Sequence, residues 1–200
     1  MQEKNEKPYH HGDLKRVVIE TAQDMLREEK GWQFTLREVA RRAGVSHAAP
    51  YKHFPDKAAL LAELATLGFD QLRREVAGAI ERPQRAARTE FLAAAKAYIQ
   101  FGTDNPSLYR LMFSADVDKK AFSKLDETAT GAFAVLLEIL ERGQDSGALK
   151  KRPPRGQAAA TWSLLHGVTL LAIDGQLLPE KVGAKPIDAV LTSLLEGLET

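Results

Sequence analysis

Apolar residues recur along this chain with a helical period almost throughout. Leu14, Val17, Val18, Thr21, Ala22, Met25 and Leu26 follow i, i+3, i+4, i+7, i+8, the buried stripe of a first helix of about 16 residues. Asp13 or Gly12 stands where a cap belongs, and Gly31 follows the helix end. Thr35-x-x-Glu38 predicts a capping box that opens a second helix, which stops near Ala43-Gly44. Val45-Ser46 leads into a short third helix over 47–54, with Ser46 as its N-cap and Pro55 at its end. Asp56 then caps a long fourth helix through Leu60, Leu61, Leu64, Leu67 and Leu72 to about Ala79.

Arg82-Pro83-Gln84 breaks the pattern. Beyond it come a helix with Phe91, Ala95, Tyr98 and Ile99, a turn at Asp104-Asn105-Pro106 and a short apolar segment from Leu108 to Phe113. A long helix carries Leu125, Ala129, Ala132, Phe133, Leu136, Leu137 and Leu140. Gly143 to Pro154 reads as a basic loop, and two last helices run from about Gln157 to Asp174 and from Pro186 to Leu198. No stretch alternates with the period of a strand. The expected fold is all-α: an N-terminal three-helix unit joined to a C-terminal helical bundle.

Two short helices joined by a tight glycine turn form the unit that places a helix in the DNA major groove. Ala40 is small where the two helices must approach, and Gly44 stands where the turn needs φ > 0. With α-helical spacing over 47–54, Pro50 and Phe54 face the core while Ala48, Ala49 and Lys52 face outward. Pro50 removes a hydrogen-bond donor, so this helix starts distorted or late. A plain helical hairpin inside a bundle is the competing interpretation of the segment.

The 200-residue chain is 44% hydrophobic and 28% charged, enough to bury a core and unlike a disordered chain. Its net charge of +1 says little about nucleic acid. The local balance says more: Arg37, Arg41, Arg42, Lys52 and Lys57, with His47 and His53, face only Glu38 and Asp56 between Thr35 and Lys57. The absence of cysteine excludes disulfides and thiol catalysis and fits a reducing cytoplasm. The charged N-terminus is unlike a secretory signal, and the apolar run from Leu164 to Ile173, broken by His166, falls short of a membrane span. No zinc-protease, phosphate-loop or nucleophile-elbow motif is present; His10-His11 lacks companion ligands, and Asp126-Glu127 lies in a patterned helix. An enzyme is therefore a remote reading, and neither metal nor cofactor is expected.

The run Thr35-Leu36-Arg37-Glu38-Val39-Ala40-Arg41-Arg42-Ala43-Gly44-Val45-Ser46, with Tyr51-Lys52-His53-Phe54-Pro55-Asp56-Lys57, resembles the DNA-binding domain of the TetR family of transcriptional regulators. Tyr9-His10-His11-Gly12-Asp13-Leu14, His47-Ala48-Ala49-Pro50 and Asn105-Pro106-x-x-Tyr109-Arg110-Leu111-Met112-Phe113 resemble one subgroup. Trp162-Ser163-Leu164-Leu165-His166-Gly167 is similar to its WHG-type C-terminal domain. The resemblance implies a flexible arm over 1–8, a DNA-binding domain over 9–57, a connecting helix over 58–82, and an effector-binding and dimerisation domain over 83–200.

It also implies roles for side chains. Arg37 would reach a guanine edge; His47, Ala48 and Tyr51 fall at base-touching positions, Ala48 offering only a methyl-sized contact. Thr35, Ala49, Lys52, His53 and Lys57 fall at backbone-contact positions, Ala49 through its N–H alone, and Ser46 stands beside them. The segment 48–50 carries no side-chain hydrogen-bonding group, which leaves specificity to Arg37, His47, Tyr51 and DNA shape. The Tyr9-His10-His11 arm either lies along the DNA or is a disordered tail.

The last two helices are apolar on more faces than one chain covers: Leu164, Val168 and Leu171 on one, and Ile187, Val190, Leu191, Leu194, Leu195 and Leu198 on the other. A symmetric partner in a four-helix contact would cover them, and a thicker monomeric core is the alternative. Tyr98, Phe101, Tyr109, Met112, Phe113, Phe133, Trp162 and His166 come from four segments and form either ordinary core or, as the resemblance implies, an effector pocket with His166 and Tyr98 orienting the ligand. The function expected is a homodimeric regulator of a palindromic operator, a repressor by family habit, released by a small apolar or aromatic molecule. A constitutive DNA-binding protein without an effector is the alternative.

Overall fold

The computed structural model describes residues 11–28, 31–80 and 86–199, and these form helices joined by short connections. Helix α1 spans His11–Glu28, α2 Leu36–Arg42, α3 Lys57–Ile80, α4 Ala87–Asp104, α5 Pro106–Met112, α6 Ser123–Asp145, α7 Pro154–Ile173, α8 Pro179–Val182 and α9 Pro186–Leu198. Four of them, α5, α7, α8 and α9, start on proline, whose missing N–H costs nothing in a first turn. No described residue lies in a strand of a sheet; Leu149 and Glu199 form an isolated antiparallel bridge, and Lys150 N–H donates to Leu198 O at 2.8 Å. The fold is all-α. The proposed arm over 1–8 and the break at 82–84 lie outside the described residues.

In the N-terminal unit the helix α2 and the turns around it are short and pinned at their ends. Thr35 accepts from Glu38 N–H at 3.2 Å while the Glu38 carboxylate accepts from Thr35 N–H at 2.7 Å, the reciprocal box the spacing predicts. Leu36, Val39 and Ala40 then bury one face of α2. At the turn Gly44 has φ of 68°, a region glycine enters without steric penalty. Asp56 Oδ1 accepts from Ala59 N–H at 2.8 Å and opens α3. Helix α1 runs through Gly12 and Asp13, so neither is its cap.

The expected third helix over 47–54 is corrected. Turns lead from Ser46 into a 3₁₀ helix over Pro50–Lys52, and no side chain caps it. Pro50 has no N–H to continue an α-helical ladder, and Ala49 N–H donates to Ser46 O at 2.9 Å instead. The tighter winding turns Ala49 inward, where it is 7% exposed beside Pro50 and Phe54. Gly143 and Gln144, expected in a loop, continue α6 to Asp145. Helix α8 and a 3₁₀ turn over Lys119–Ala121 carry no periodicity that a sequence pattern detects.

Helix α3 is the mast of the molecule. Its first turns pack on α1, linked further by Lys15 Nζ donating to Glu63 at 2.7 Å, and its remainder packs against α4, α5 and α6. Gly68 marks the close crossing with α5: a Cβ there would stand 2.6 Å from Met112 Sδ. Helix α7 lies on α4 and α6, and α9 covers part of α4 and α7.

Candidate DNA-reading surface and internal cavity

On the N-terminal unit the buried and exposed residues separate cleanly. Val39, Ala40, Ala49, Pro50 and Phe54 are buried; Arg37, Ser46, His47, Ala48, Tyr51, Lys52 and His53 are exposed, Tyr51 at 47%. These side chains stand on one short stretch of surface, as the linking turn is only a few residues long. Thr35 is exposed, but its hydroxyl is engaged twice with Glu38. Lys57 is half-buried with Nζ 5.8 Å from the Phe34 ring centre. Arg42 pairs with Glu28 and so ties α2 to α1. The expected backbone role of Ala49 is overturned, because its side chain is core and its N–H is spent on Ser46. Hydrogen bonds from Thr35 hold the Glu38 carboxyl below its ordinary value, which preserves the charge that closes the box.

The C-terminal bundle holds a cavity of about 330 Å³ that is partly open to solvent. Helix α3 supplies Phe69, Leu72, Arg73 and Val76 to its wall; α4 supplies Phe91, Ala94, Ala95 and Tyr98. Helix α6 contributes Asp126, Ala129, Thr130, Ala132, Phe133, Leu136 and Ile139, and α7 contributes Trp162 and Leu165. Phe113 and Lys119 complete it from the segment between α5 and α6. Of the aromatic set singled out in the sequence, Tyr98, Phe113, Phe133 and Trp162 line this wall. Phe101, Tyr109 and Met112 do not: each is 0% exposed and belongs to the core behind it. His166 is also off the wall, with its ring 4.5 Å from that of Phe113.

A polar chain runs through that second layer. Trp162 Nε1–H donates to Tyr98 Oη at 3.2 Å, Tyr98 and Tyr109 hydroxyls lie 2.8 Å apart, and Tyr109 Oη lies 2.7 Å from His166 Nδ1. Burial pushes the Tyr98 hydroxyl up to about 12 and that of Tyr109 well above the ordinary range. Desolvation, aided by Lys119, lowers His166. A neutral imidazole accepting at Nδ1 gives every donor in the chain an acceptor: Trp162 to Tyr98, Tyr98 to Tyr109, Tyr109 to His166. The chain thereby fixes four side chains around one end of the cavity.

The expected partner face divides in two. Val168, Leu191, Leu195 and Leu198 are buried within their own chain, at 7% exposure or less, and so are core rather than interface. Leu171 is 47% exposed, and Leu164, Ile187, Val190 and Leu194 remain partly exposed. Leu178 and Val182, at the start and end of α8, are exposed as well.

The profile of bacterial regulatory proteins of the tetR family matches residues 21–64, and that of tetracyclin repressor-like C-terminal domains matches residues 91–198. The chain belongs to the TetR family. A protein of unknown function from Rhodococcus sp. RHA1 is 34% identical and superposes with a TM-score of 0.83 over 98% of this chain and all of that one. The Bacillus subtilis strain 168 protein YobS, named an uncharacterised helix-turn-helix transcriptional regulator, is 24% identical across 94% of this chain and 93% of its own. A putative tetR-family regulator from Shewanella sp. PV-4 shares the fold at 19% identity, with a TM-score of 0.72 over 94% of this chain and 98% of that one.

In this TetR-family regulator, sequence pattern missed the residues that set the cavity's ends. Phe69 and Val76 lie in α3 without being singled out by its leucine stripe, and Lys119 lies in a stretch without period. Trp32 was missed as well: its Nε1–H donates to Asp116 Oδ2 at 2.8 Å, joining the loop before α2 to the segment that carries Phe113 and Lys119. Among the described residues no cluster of three or more His, Asp or Glu is placed to hold a metal ion, and no helix is long and apolar enough to cross a membrane.

Proposed function

We propose that this regulator is a repressor that binds a palindromic operator as a homodimer and leaves it when a small apolar or aromatic molecule enters the cavity. The observation that carries this reading is that one helix belongs to both sites. The first turns of α3 pack against the reading unit, and Phe69, Leu72 and Val76 of the same helix form cavity wall. A ligand that shifts α3 changes the separation of two recognition segments, so both no longer fit half-sites about one helical turn apart. It does so only by binding the DNA-incompetent state better; a coupling of about 1–3 kcal/mol corresponds to a 5–150-fold release.

Arg37 is the guanine-reading side chain in this scheme, with His47, Ala48 and Tyr51 at base edges and Thr35, Ser46, Lys52, His53 and Lys57 near phosphates. Leu164, Leu171, Ile187, Val190 and Leu194 form the dimer face. The run Trp162 to Gly167 supports the subgroup with a WHG-type C-terminal domain, and the site of action is the cytoplasm.

Selection from a random DNA pool, followed by footprinting, is expected to yield a protected inverted repeat; a pool without one defeats the proposal. Arg37→Ala should cost about 1–3 kcal/mol at the selected site and relax one base position, while Lys52→Ala should weaken all sequences alike and lower the salt slope by about one. Equal losses on every sequence for both variants would reduce Arg37 to a phosphate contact. Leu171→Arg, tolerable where half of the side chain is already exposed, should give folded monomers by sedimentation and no binding to the repeat. A dimeric Leu171→Arg variant would put the interface elsewhere.

A further inference from the structure

The cavity has a polar end and an apolar end, and three of the helices that line it, α3, α4 and α6, show which is which. Along α3 the wall runs from Phe69, beneath the Lys119 ammonium, to Val76, two turns or about 10 Å further on. Along α6 it runs from Asp126 to Ile139, and along the antiparallel α4 from Tyr98 back to Phe91. The near end therefore holds Lys119, Asp126, the Tyr98 hydroxyl and the Trp162 indole. The far end holds Val76, Phe91, Ala94, Leu136 and Ile139, with no polar side chain among them. Arg73 and Thr130 lie between, and Arg73 is already paired with Asp70 at 3.0 Å.

Lys119 is the group whose situation points to a ligand. Its ammonium sits over two aromatic faces, 5.6 Å from the centre of Phe69 and 5.5 Å from that of Phe113. Among the described residues no carboxylate lies within ion-pair distance of it, although Asp126 attracts it from the first turn of α6. Partial burial lowers its affinity for a proton, with the Asp126 charge opposing that shift. An anion at this end would give the Lys119 ammonium a partner, while the Tyr98 hydroxyl stays engaged with Tyr109 and Trp162.

We infer that the cavity takes an amphiphilic monocarboxylic acid, its carboxylate held by Lys119 at the polar end and its apolar body lying along α3 towards Val76 and Ile139. The inference rests on the proposed effector role of the cavity and names the chemistry of its ligand. A cavity of about 330 Å³ holds roughly eleven water-sized volumes, so the molecule is about the size of decanoate. Lys119 also stands near the link between the two halves. It lies three residues from Asp116, which accepts from Trp32 in the loop before α2.

The test compares decanoate, 1-decanol and decylamine by calorimetric titration of the full-length protein, alongside Lys119→Met and Lys119→Arg. Wild type is expected to bind decanoate at least about tenfold more tightly than decanol, and decylamine least. Lys119→Met should bind decanoate no better than decanol, and Lys119→Arg should restore the preference in part. A wild type that prefers the alcohol or the amine, or a Lys119→Met variant that still prefers the acid, overturns the inference. So does a wild type that binds none of the three while still protecting its selected DNA, a result that leaves the DNA-binding reading intact. Loss of DNA binding with the acid preference kept would instead overturn the proposed function alone.

Discussion

The two halves of this regulator solve opposite packing problems. The reading unit is short-limbed and dense: Val39 and Ala40 are 0% exposed, and its elements are held by a capping box, a positive-φ glycine and a proline-started 3₁₀ turn. Its working side chains are those the core does not need. The bundle uses long helices whose small residues, Ala94 and Ala95 on α4 and Ala129 and Ala132 on α6, leave space along the cavity wall. Its working feature is volume left unfilled. One half presents exposed side chains on a rigid base, and the other leaves a void that its own side chains do not fill.

The largest test of that contrast is a matched truncation. Phe54→Ala removes a 3%-exposed side chain from the dense unit and should cost about 3–5 kcal/mol in denaturant unfolding. Phe133→Ala removes a half-buried ring beside an existing cavity and should cost less than about 2 kcal/mol. Comparable losses would mean that the cavity is closed and packed in solution.

Matched enlargement should give opposite signs. Ala40→Leu has no space to enter and is expected to destabilise by about 1–3 kcal/mol. Ala132→Leu grows into the cavity and should stabilise by about 1–2 kcal/mol while blocking ligand binding and sparing operator binding. Destabilisation by Ala132→Leu would sharpen the comparison the other way, assigning the cavity wall no slack.

The smallest effects are in acid. Glu38 is held below its ordinary 4.5, so its contribution is complete above that value and is lost as pH falls through the lowered one. His166 is also lowered, from 6.5, and is neutral in the fold; stability it favours is complete above 6.5 and declines as pH falls below it. The bundle should therefore soften at a higher pH than the reading unit. His166→Gln should flatten the first decline and Glu38→Gln the second, read as pH-dependent melting of each half. A single decline unmoved by either variant would separate both groups from the acid response.

The legible parts of the sequence were those governed by local chemistry. Thr35 and Glu38 satisfy each other's backbone within four residues, Gly44 answers a local turn, and Asp56 caps the helix beside it, so spacing sufficed. Ala49 was misplaced because a 100° step was applied where Pro50 imposes a tighter turn. The stripe on α9 was read as a single face, yet Leu191, Leu195 and Leu198 lean on α4 and α7 while Ile187, Val190 and Leu194 stay towards the outside.

The sequence by itself determined the long helices, the capped second helix and the exposed basic side chains beside it, because capping, turn geometry and periodic burial act within a few residues of one another. Only the tertiary structure decided which aromatics border empty space. Tyr98 and Tyr109 share a hydrogen bond, but one faces the cavity and the other is sealed behind it. It alone brought Lys119 over Phe69 and Phe113, and Trp32 to Asp116. A cavity is what remains after several helices have met at particular distances, and no single segment encodes those distances.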